Sequence, residues 1–408
     1  MPEKTLKKNL SWTTAGMVLY NFAIWMLSAL TLRMLGARMS GYYAVATSIG
    51  NTLYAVALWG MRSFIVSDTR QEYTYAEYCG ARLAGIGISA AALAVILLLS
   101  GYDSMQIWIL LLYSVFKFTE TLIELMDCFM QQKKQMAINA KSMILRSVLF
   151  IAAFFLALKL TRSLITGLAA IIVLSLAVFL FYNLRLVKQE IPLTAVLFNG
   201  HTRAILRQCF PIMAFELLSA LVVAIPRLRF EAIGSLDALG IYTSIYTLVI
   251  FLQLVINVLI YTFAPYMADF YNSGNTRQLL KYAGVLFLGS AVLALAAEIL
   301  VKLFGGPVVT MLYGSVASPY YSYLYIGILS GVSLAWTWMF SQLFVILRRT
   351  YDQLYCSLAA TAACWLLSNQ MIQAGDCNTM STVLILTNLV FILTAAVLLL
   401  YRKRKAAL

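Results

Sequence analysis

Long apolar runs constrain this chain more than any motif in it. Such runs lie at 12–33, 42–66, 80–100, 105–127, 143–160, 163–184, 209–231, 240–264, 282–304, 322–346, 353–372 and 380–401. A helix of about 20 residues spans the ~30 Å hydrocarbon core of a bilayer. Backbone polar groups must be satisfied internally there, so these runs read as helices; strands of a membrane barrel are about half as long. Composition agrees, with 62% hydrophobic and 11% charged residues, against about 25% charged in soluble domains. The expected fold is an all-α integral membrane protein of about twelve transmembrane helices. The first run, residues 12–32, follows a basic start but exceeds a signal-peptide core, and it reads as an uncleaved helix.

The net charge of +14 has a topological explanation in place of a nucleic-acid one. With a cytoplasmic N-terminus, 21 of the 30 Lys and Arg fall on inside segments, Arg82 and Arg146 among them. Arg33, Arg38, Lys159, Arg162, Arg227, Arg229 and Lys302 fall outside, and Arg62 and Lys117 within spans. Such a bias places both termini in the cytoplasm. The 6 cysteines have no metal-like spacing, and only Cys377 faces outside, so no disulfide is expected. The single His201 sits in a polar loop with no ligand-like partner spaced near it. No metal or other cofactor is expected.

The polar segment 185–208, which contains Pro192, divides the chain near its middle. An N-terminal six-helix lobe, 1–190, a cytoplasmic connecting loop, 191–208, and a C-terminal six-helix lobe, 209–408, follow. Residues 33–48 and 226–248 both run from arginine through a glycine turn into Gly-x-Tyr: Gly41-Tyr42-Tyr43 and Gly240-Ile241-Tyr242. Thr69-Arg70-Gln71 and Thr276-Arg277-Gln278 echo each other further on. Loop residues repeating at corresponding positions point to two pseudo-symmetric lobes around a central cavity, related by an axis along the membrane normal.

Charges inside a membrane are costly and mark pathways or binding sites. Lys117, Glu120, Glu124 and Asp127 recur at helical spacing on the fourth span. One stripe of this kind is expected to face a water-filled cavity or the opposite lobe. Arg62 lies near the inner end of the second span, and Glu216 follows Pro211 on the seventh. Arg227 and Arg229 lie at that helix's outer end, where Pro226 is expected to bend it. Arg33 ends the first span. Arg62, Lys117, Arg227, Arg229 and Arg33 are the candidate substrate-binding cations, suited to a phosphate or diphosphate. Glu120, Glu124 and Glu216 are candidates for coupling to a proton or sodium ion.

The chain resembles the polysaccharide-transport branch of the multidrug/oligosaccharidyl-lipid/polysaccharide exporters, the O-antigen flippase type. The resemblance is carried by the stretch from Pro226-Arg227 to Gly240-Ile241-Tyr242 and by the Lys-rich start with Leu35-Gly36 and Gly41-Tyr42-Tyr43. Phe263-Ala264-Pro265-Tyr266, followed by Tyr271-Asn272-Ser273-Gly274-Asn275, adds to it. The resemblance implies two six-helix lobes and alternating access. It implies a bacterial inner-membrane protein of polysaccharide biosynthesis that moves a polyprenyl-diphosphate-linked oligosaccharide to the outer leaflet, alongside other polysaccharide-assembly proteins. Cavity cations would contact the diphosphate, and an ion gradient would drive the cycle. The Lys117-x-x-Glu120-x-x-x-Glu124 stripe matches no fixed motif of the family. Two other classes compete: a multidrug-type cation antiporter, and a membrane polysaccharide polymerase or ligase. The outer segment 305–321 is short and uncharged, which disfavours the enzyme. No G-x-x-x-x-G-K-[ST] motif is present, so ATP hydrolysis is not expected.

Overall fold

The computed structural model describes residues 3–68, 71–191, 196, 198–347 and 349–406. Arg70, Pro192 and Arg348 lie outside the described residues, as does much of the expected connecting loop. The described chain is helical throughout, apart from one isolated bridge between Gln373 and Asp376. In order come α1 (Glu3–Leu35), α2 (Ala37–Leu58), α3 (Met61–Ser67), α4 (Tyr75–Leu99), α5 (Ser104–Gln132) and α6 (Met136–Thr161). Next, α7 (Leu164–Val178) passes through a π-helical turn, Phe179–Asn183, into α8 (Leu184–Glu190). Then follow α9 (Gly200–Ile233), α10 (Leu236–Tyr246), α11 (Val249–Asn272), α12 (Thr276–Tyr313), α13 (Tyr323–Ile346), α14 (Thr350–Met371) and α15 (Asn378–Ala406).

Each apolar run coincides with one helix or with one interrupted helix. Nine of these segments are long and apolar enough to cross a membrane by length and composition alone. The other three, α2, α5 and α14, are richer in polar or charged residues, α5 because it carries Lys117, Glu120, Glu124 and Asp127. The protein is a multi-pass membrane protein.

Two compact units divide at Leu217/Leu218, inside α9. Within the first, α2 packs on α4 and α5, α5 on α7, α6 on α7, and α1 on α6. Within the second, α11 packs on α12 and α13, α13 on α15, and α14 on α15. Hydrogen bonds from Thr361 and Cys364 on α14 to the carbonyls of Leu218 and Val222 on α9 supply the counterpart of α1 on α6. The same pairing scheme thus recurs six spans later.

Local chemistry explains the interruptions. Trp59 and Gly60 both take left-handed backbone, with φ of 53° and 60°, and break α2 from α3. A Cβ on Gly60 would stand 2.6 Å from Ile212 Cγ2 and 2.9 Å from the Met213 amide nitrogen, so only glycine permits both the turn and the approach of α9. Trp59 Nε1 donates to the Leu206 carbonyl at 2.8 Å, and Met61, Ile65, Phe129 and Cys209 bury around this joint. In the second unit, Gly331 lets α13 meet α11, since a Cβ there would lie 2.1 Å from Val249 Cγ1. The helix α9 continues without interruption through Pro211 and Pro226. Thr74 and Glu77 form a reciprocal capping box on α4. Glu77 Oε1 also accepts from Asn199 Nδ2 at 2.8 Å and lies 2.9 Å from His201 Nδ1. The lone histidine therefore has a carboxylate partner that is distant in sequence, and this pair fastens the start of α9 to α4.

A candidate charged site in the first unit

The acidic stripe on α5 forms a seam with one closed edge and one that reaches the surface. Successive helical residues turn by about 100°, so Lys117 and Glu124 sit about 40–60° to one side of Glu120, and Asp127 about 20° to the other. The sequence predicts a stripe that faces a water-filled cavity or the opposite lobe; instead α1, α6 and α7 close its Glu120 edge, while α3 and α4 line its Glu124 edge.

On the Glu120 edge the site is closed. Arg146 Nη1 on α6 donates to Glu120 Oε2 at 2.5 Å, and Ser175 Oγ on α7 donates to Oε1 at 2.7 Å. The Tyr20 hydroxyl on α1 also donates to Oε2. The Arg146 guanidinium stands 5.0 Å from the Tyr20 ring centroid. Glu120, Arg146 and Asp127 are all buried. The Asp127 carbonyl accepts from Asn139 Nδ2 at 2.7 Å. The π-helical turn carries Asn183 beside it, where Asn183 Oδ1 accepts from Ser142 Oγ at 2.9 Å.

The Glu124 edge reaches the surface. Arg82 on α4 donates through Nη2 to Glu124 Oε2 at 2.6 Å, and Arg62 on α3 through Nη1 to Oε1 at 3.3 Å. Arg62 Nη2 also donates to Gln131 Oε1 at 2.8 Å. The Cys128 thiol lies 3.1 Å from Glu124 Oε1. Two turns along α5, about 10 Å away by helical rise, the Lys117 ammonium stands over the Tyr54 ring at 4.9 Å, Tyr113 at 5.6 Å and Phe116 at 5.9 Å. No ion pair among the described residues includes Lys117. An aromatic cage holds it. Tyr113 is set in that cage by the close approach of its ring to Gly50 and by donating to Asn51 Oδ1 at 3.3 Å.

Arg62, Lys117, Glu120, Glu124 and the nearby Glu216 therefore belong to one unit. Glu216 lies on α9 within electrostatic reach of Glu124 and Arg82, and its Oε2 is buried with no hydrogen-bond partner. Arg33 is exposed at the end of α1. Arg227 and Arg229 lie further along α9, in the second unit. The Arg227 guanidinium lies 5.8 Å from the Tyr246 ring centroid, and Arg229 keeps a buried Nε with no partner.

Sequence reasoning missed Arg82 and Arg146, counting both as cytoplasmic topology charges. Arg82 is 0% exposed and Arg146 3% exposed. A charge balance carried the signal. Glu120, Glu124, Asp127 and Glu216 within spans face only Arg62 and Lys117 if every other basic residue is assigned to a loop. Two cations were missing, and these arginines supply them.

A family model described as Polysaccharide biosynthesis protein matches residues 6–271. The chain belongs to that family. Its fold is shared by solved transporters. The lipid II flippase MurJ, in an inward closed conformation, aligns with TM-score 0.74 at 11% identity, over 94% of this chain and 86% of that one. An inward-facing multidrug resistance MATE family transporter of the MOP superfamily aligns with TM-score 0.66 at 15% identity, over 95% and 94%. A MOP superfamily transporter from Pyrococcus furiosus aligns with TM-score 0.55 at 16% identity, over 100% and 96%. No curated protein matches the sequence. The polysaccharide biosynthesis family and the fold of flippases and exporters thus meet in one chain, in agreement with the resemblance read from its motifs.

Proposed function

We propose that this protein is a flippase that carries a polyprenyl-diphosphate-linked oligosaccharide from the cytoplasmic to the outer leaflet of a bacterial inner membrane. It works by alternating access, takes its energy from a proton or sodium gradient, and serves O-antigen, capsule or exopolysaccharide assembly. The observation that carries this reading is the exposed edge of α5. There the half-buried Lys117 ammonium on α5 and the half-exposed Arg62 guanidinium on the short α3 lie about two helical turns apart. Lys117 is in no ion pair among the described residues and Arg62 shares its carboxylate with Arg82; a diphosphate offers an anionic partner to both an arginine and a lysine. Glu216, with an unpartnered carboxylate oxygen, is the first candidate for the coupling ion, with Glu124 beside it.

The test is reconstitution in liposomes with a labelled polyprenyl-diphosphate oligosaccharide, scored by its exposure on each leaflet under proton or sodium gradients. Movement above protein-free liposomes is expected. Lys117→Glu is expected to abolish it while leaving membrane insertion intact, and full activity in that variant removes Lys117 from the site. The multidrug-type antiporter is the second reading, favoured by the buried, unpartnered Glu216 oxygen and by the MATE likeness in fold. Gradient-driven movement of a cationic dye without movement of the lipid-linked sugar would decide for it.

A further inference from the structure

Glu124 is held by two arginines that differ in everything governing their freedom to leave. Arg82 is sealed in the helix interface, with 0% of its side chain exposed, and its contact is short, at 2.6 Å. Arg62 has 49% of its side chain exposed, and its contact is long, at 3.3 Å. Arg82 also uses only one nitrogen. Its Nε and Nη1 are buried and have no hydrogen-bond partner. A guanidinium is a planar fork that matches both oxygens of a carboxylate. Here the fork is half engaged, because Arg62 and the Cys128 thiol occupy the other oxygen, Oε1.

We propose that Arg82 is a positioning residue that releases Arg62 to an anionic ligand. When Arg62 swings to the anion, Oε1 of Glu124 keeps only the weak Cys128 thiol donor. A small rotation brings a spare Arg82 donor onto that oxygen, and the pair becomes bidentate. No carboxylate is stranded in the membrane interior, and a buried donor that had no partner gains one. Glu216 lies within reach of both Arg82 and Glu124. Without Arg82, Glu124 would depend on Arg62 alone and would hold it back from the ligand. The inference rests on the reading above, that the ligand carries a diphosphate. It adds a residue that acts through another one, without touching the ligand.

The test uses the full-length protein in nanodiscs, with farnesyl diphosphate as the probe and farnesol as the uncharged control. Wild type is expected to bind the diphosphate and not the alcohol. R62Q is expected to weaken binding by about tenfold or more, the equivalent of one charge-assisted hydrogen bond. R82Q is expected to weaken it by a similar factor although Arg62 is intact. The double variant R82Q/E124Q is expected to recover to within about threefold of wild type, because Arg62 is then no longer held. Because E124Q also removes the carboxylate that R82Q strands, thermal unfolding is read on the same samples: an affinity loss in R82Q protein that is still folded at the assay temperature supports the proposal, and a loss that only tracks unfolding overturns it. If R82Q yields no folded protein, E124Q alone decides: affinity at or above wild type supports the proposal, and a loss as large as that of R62Q overturns it. A double variant as weak as R82Q makes Arg82 merely structural and also overturns it. An R62Q protein that binds like wild type removes Arg62 from the ligand. No diphosphate binding by wild type overturns the flippase reading and this inference together.

Discussion

Glu120 and Arg146 share one edge of α5 with three further contacts, and their energetics differ from those of the Glu124 edge. Both side chains are almost fully buried. The Glu120 carboxylate accepts from Arg146, Ser175 and Tyr20. Removing one member leaves a buried charge with no counter-ion, which costs about 3–5 kcal/mol, whereas replacing both by apolar residues is often close to neutral. Arg146→Leu is therefore expected to destabilise the protein by roughly that amount, and Arg146→Leu with Glu120→Leu by much less. Thermal unfolding in detergent measures both. Equal losses in the single and double variants would show that the stranded Glu120 carboxylate is not what destabilises Arg146→Leu. The residue types of this site were legible in the sequence: four acidic side chains at helical spacing or in a neighbouring span cannot face lipid. Their partners were not. Arg82 and Arg146 lie a few residues inside helices whose starts are basic or polar, and counting positive charges treats every arginine near a helix start as a loop residue. Only pairing across α1, α3, α4, α6 and α7 separates the closed edge from the open one, and that pairing is tertiary.

Among the elements, the break between α2 and α3 determines where Arg62 goes. A straight helix would continue past Trp59, but left-handed backbone at Trp59 and Gly60 turns α3 so that Arg62 meets Glu124 and Gln131. The apolar run 42–66 gave no sign of this, because hydropathy registers the span and is blind to a turn within it. Gly60→Ala is expected to cost about 2 kcal/mol or more, roughly 1–2 for the left-handed backbone and the rest for the collision with α9. Ile212→Ala in addition should recover only the collision part, a partial rescue that thermal unfolding resolves. At the other end of α2, the Tyr42 hydroxyl donates to Asp103 Oδ2 at 2.5 Å, while Asp103 Oδ1 caps α5 by accepting from the Gln106 amide at 2.8 Å. The Tyr42 hydroxyl first, then the Gln106 amide and the Arg38 charge, hold the Asp103 carboxyl below its ordinary value. A depressed carboxyl contributes stability that is complete above its unfolded pKa, near 4, and is lost as pH falls through the folded value. The site is exposed, so the effect is small. Asp103→Asn should lower stability at neutral pH and should flatten the acid limb of the unfolding midpoint against pH. An unchanged slope below pH 4 would show that the latch is electrostatically silent.

For the whole molecule, span positions and family membership were readable because hydropathy and loop motifs are local properties. The orientation rests on charge alone. Arg82 and Arg146 must leave the inside tally, since they are buried partners of Glu124 and Glu120. Nineteen of the 30 basic residues then remain on the proposed inner segments, against seven on the outer ones. The excess survives because it never depended on these two: Lys133 and Lys134 after α5, Arg277 and Lys281 at the start of α12, and the basic C-terminal end of α15 carry it. The positive-inside bias acts through short loops within about 15–20 residues of a helix end, and these groups are so placed. The testable consequence is a pair of reporter fusions. Alkaline phosphatase joined after Ser315, between α12 and α13, should be active, and the same enzyme joined after Asn199, before α9, should be inactive. The reverse pattern would turn the protein over in the membrane. Arg62 and Glu216 would then lie near the outer end of their helices, and the proposed direction of transport would have to be abandoned with the orientation.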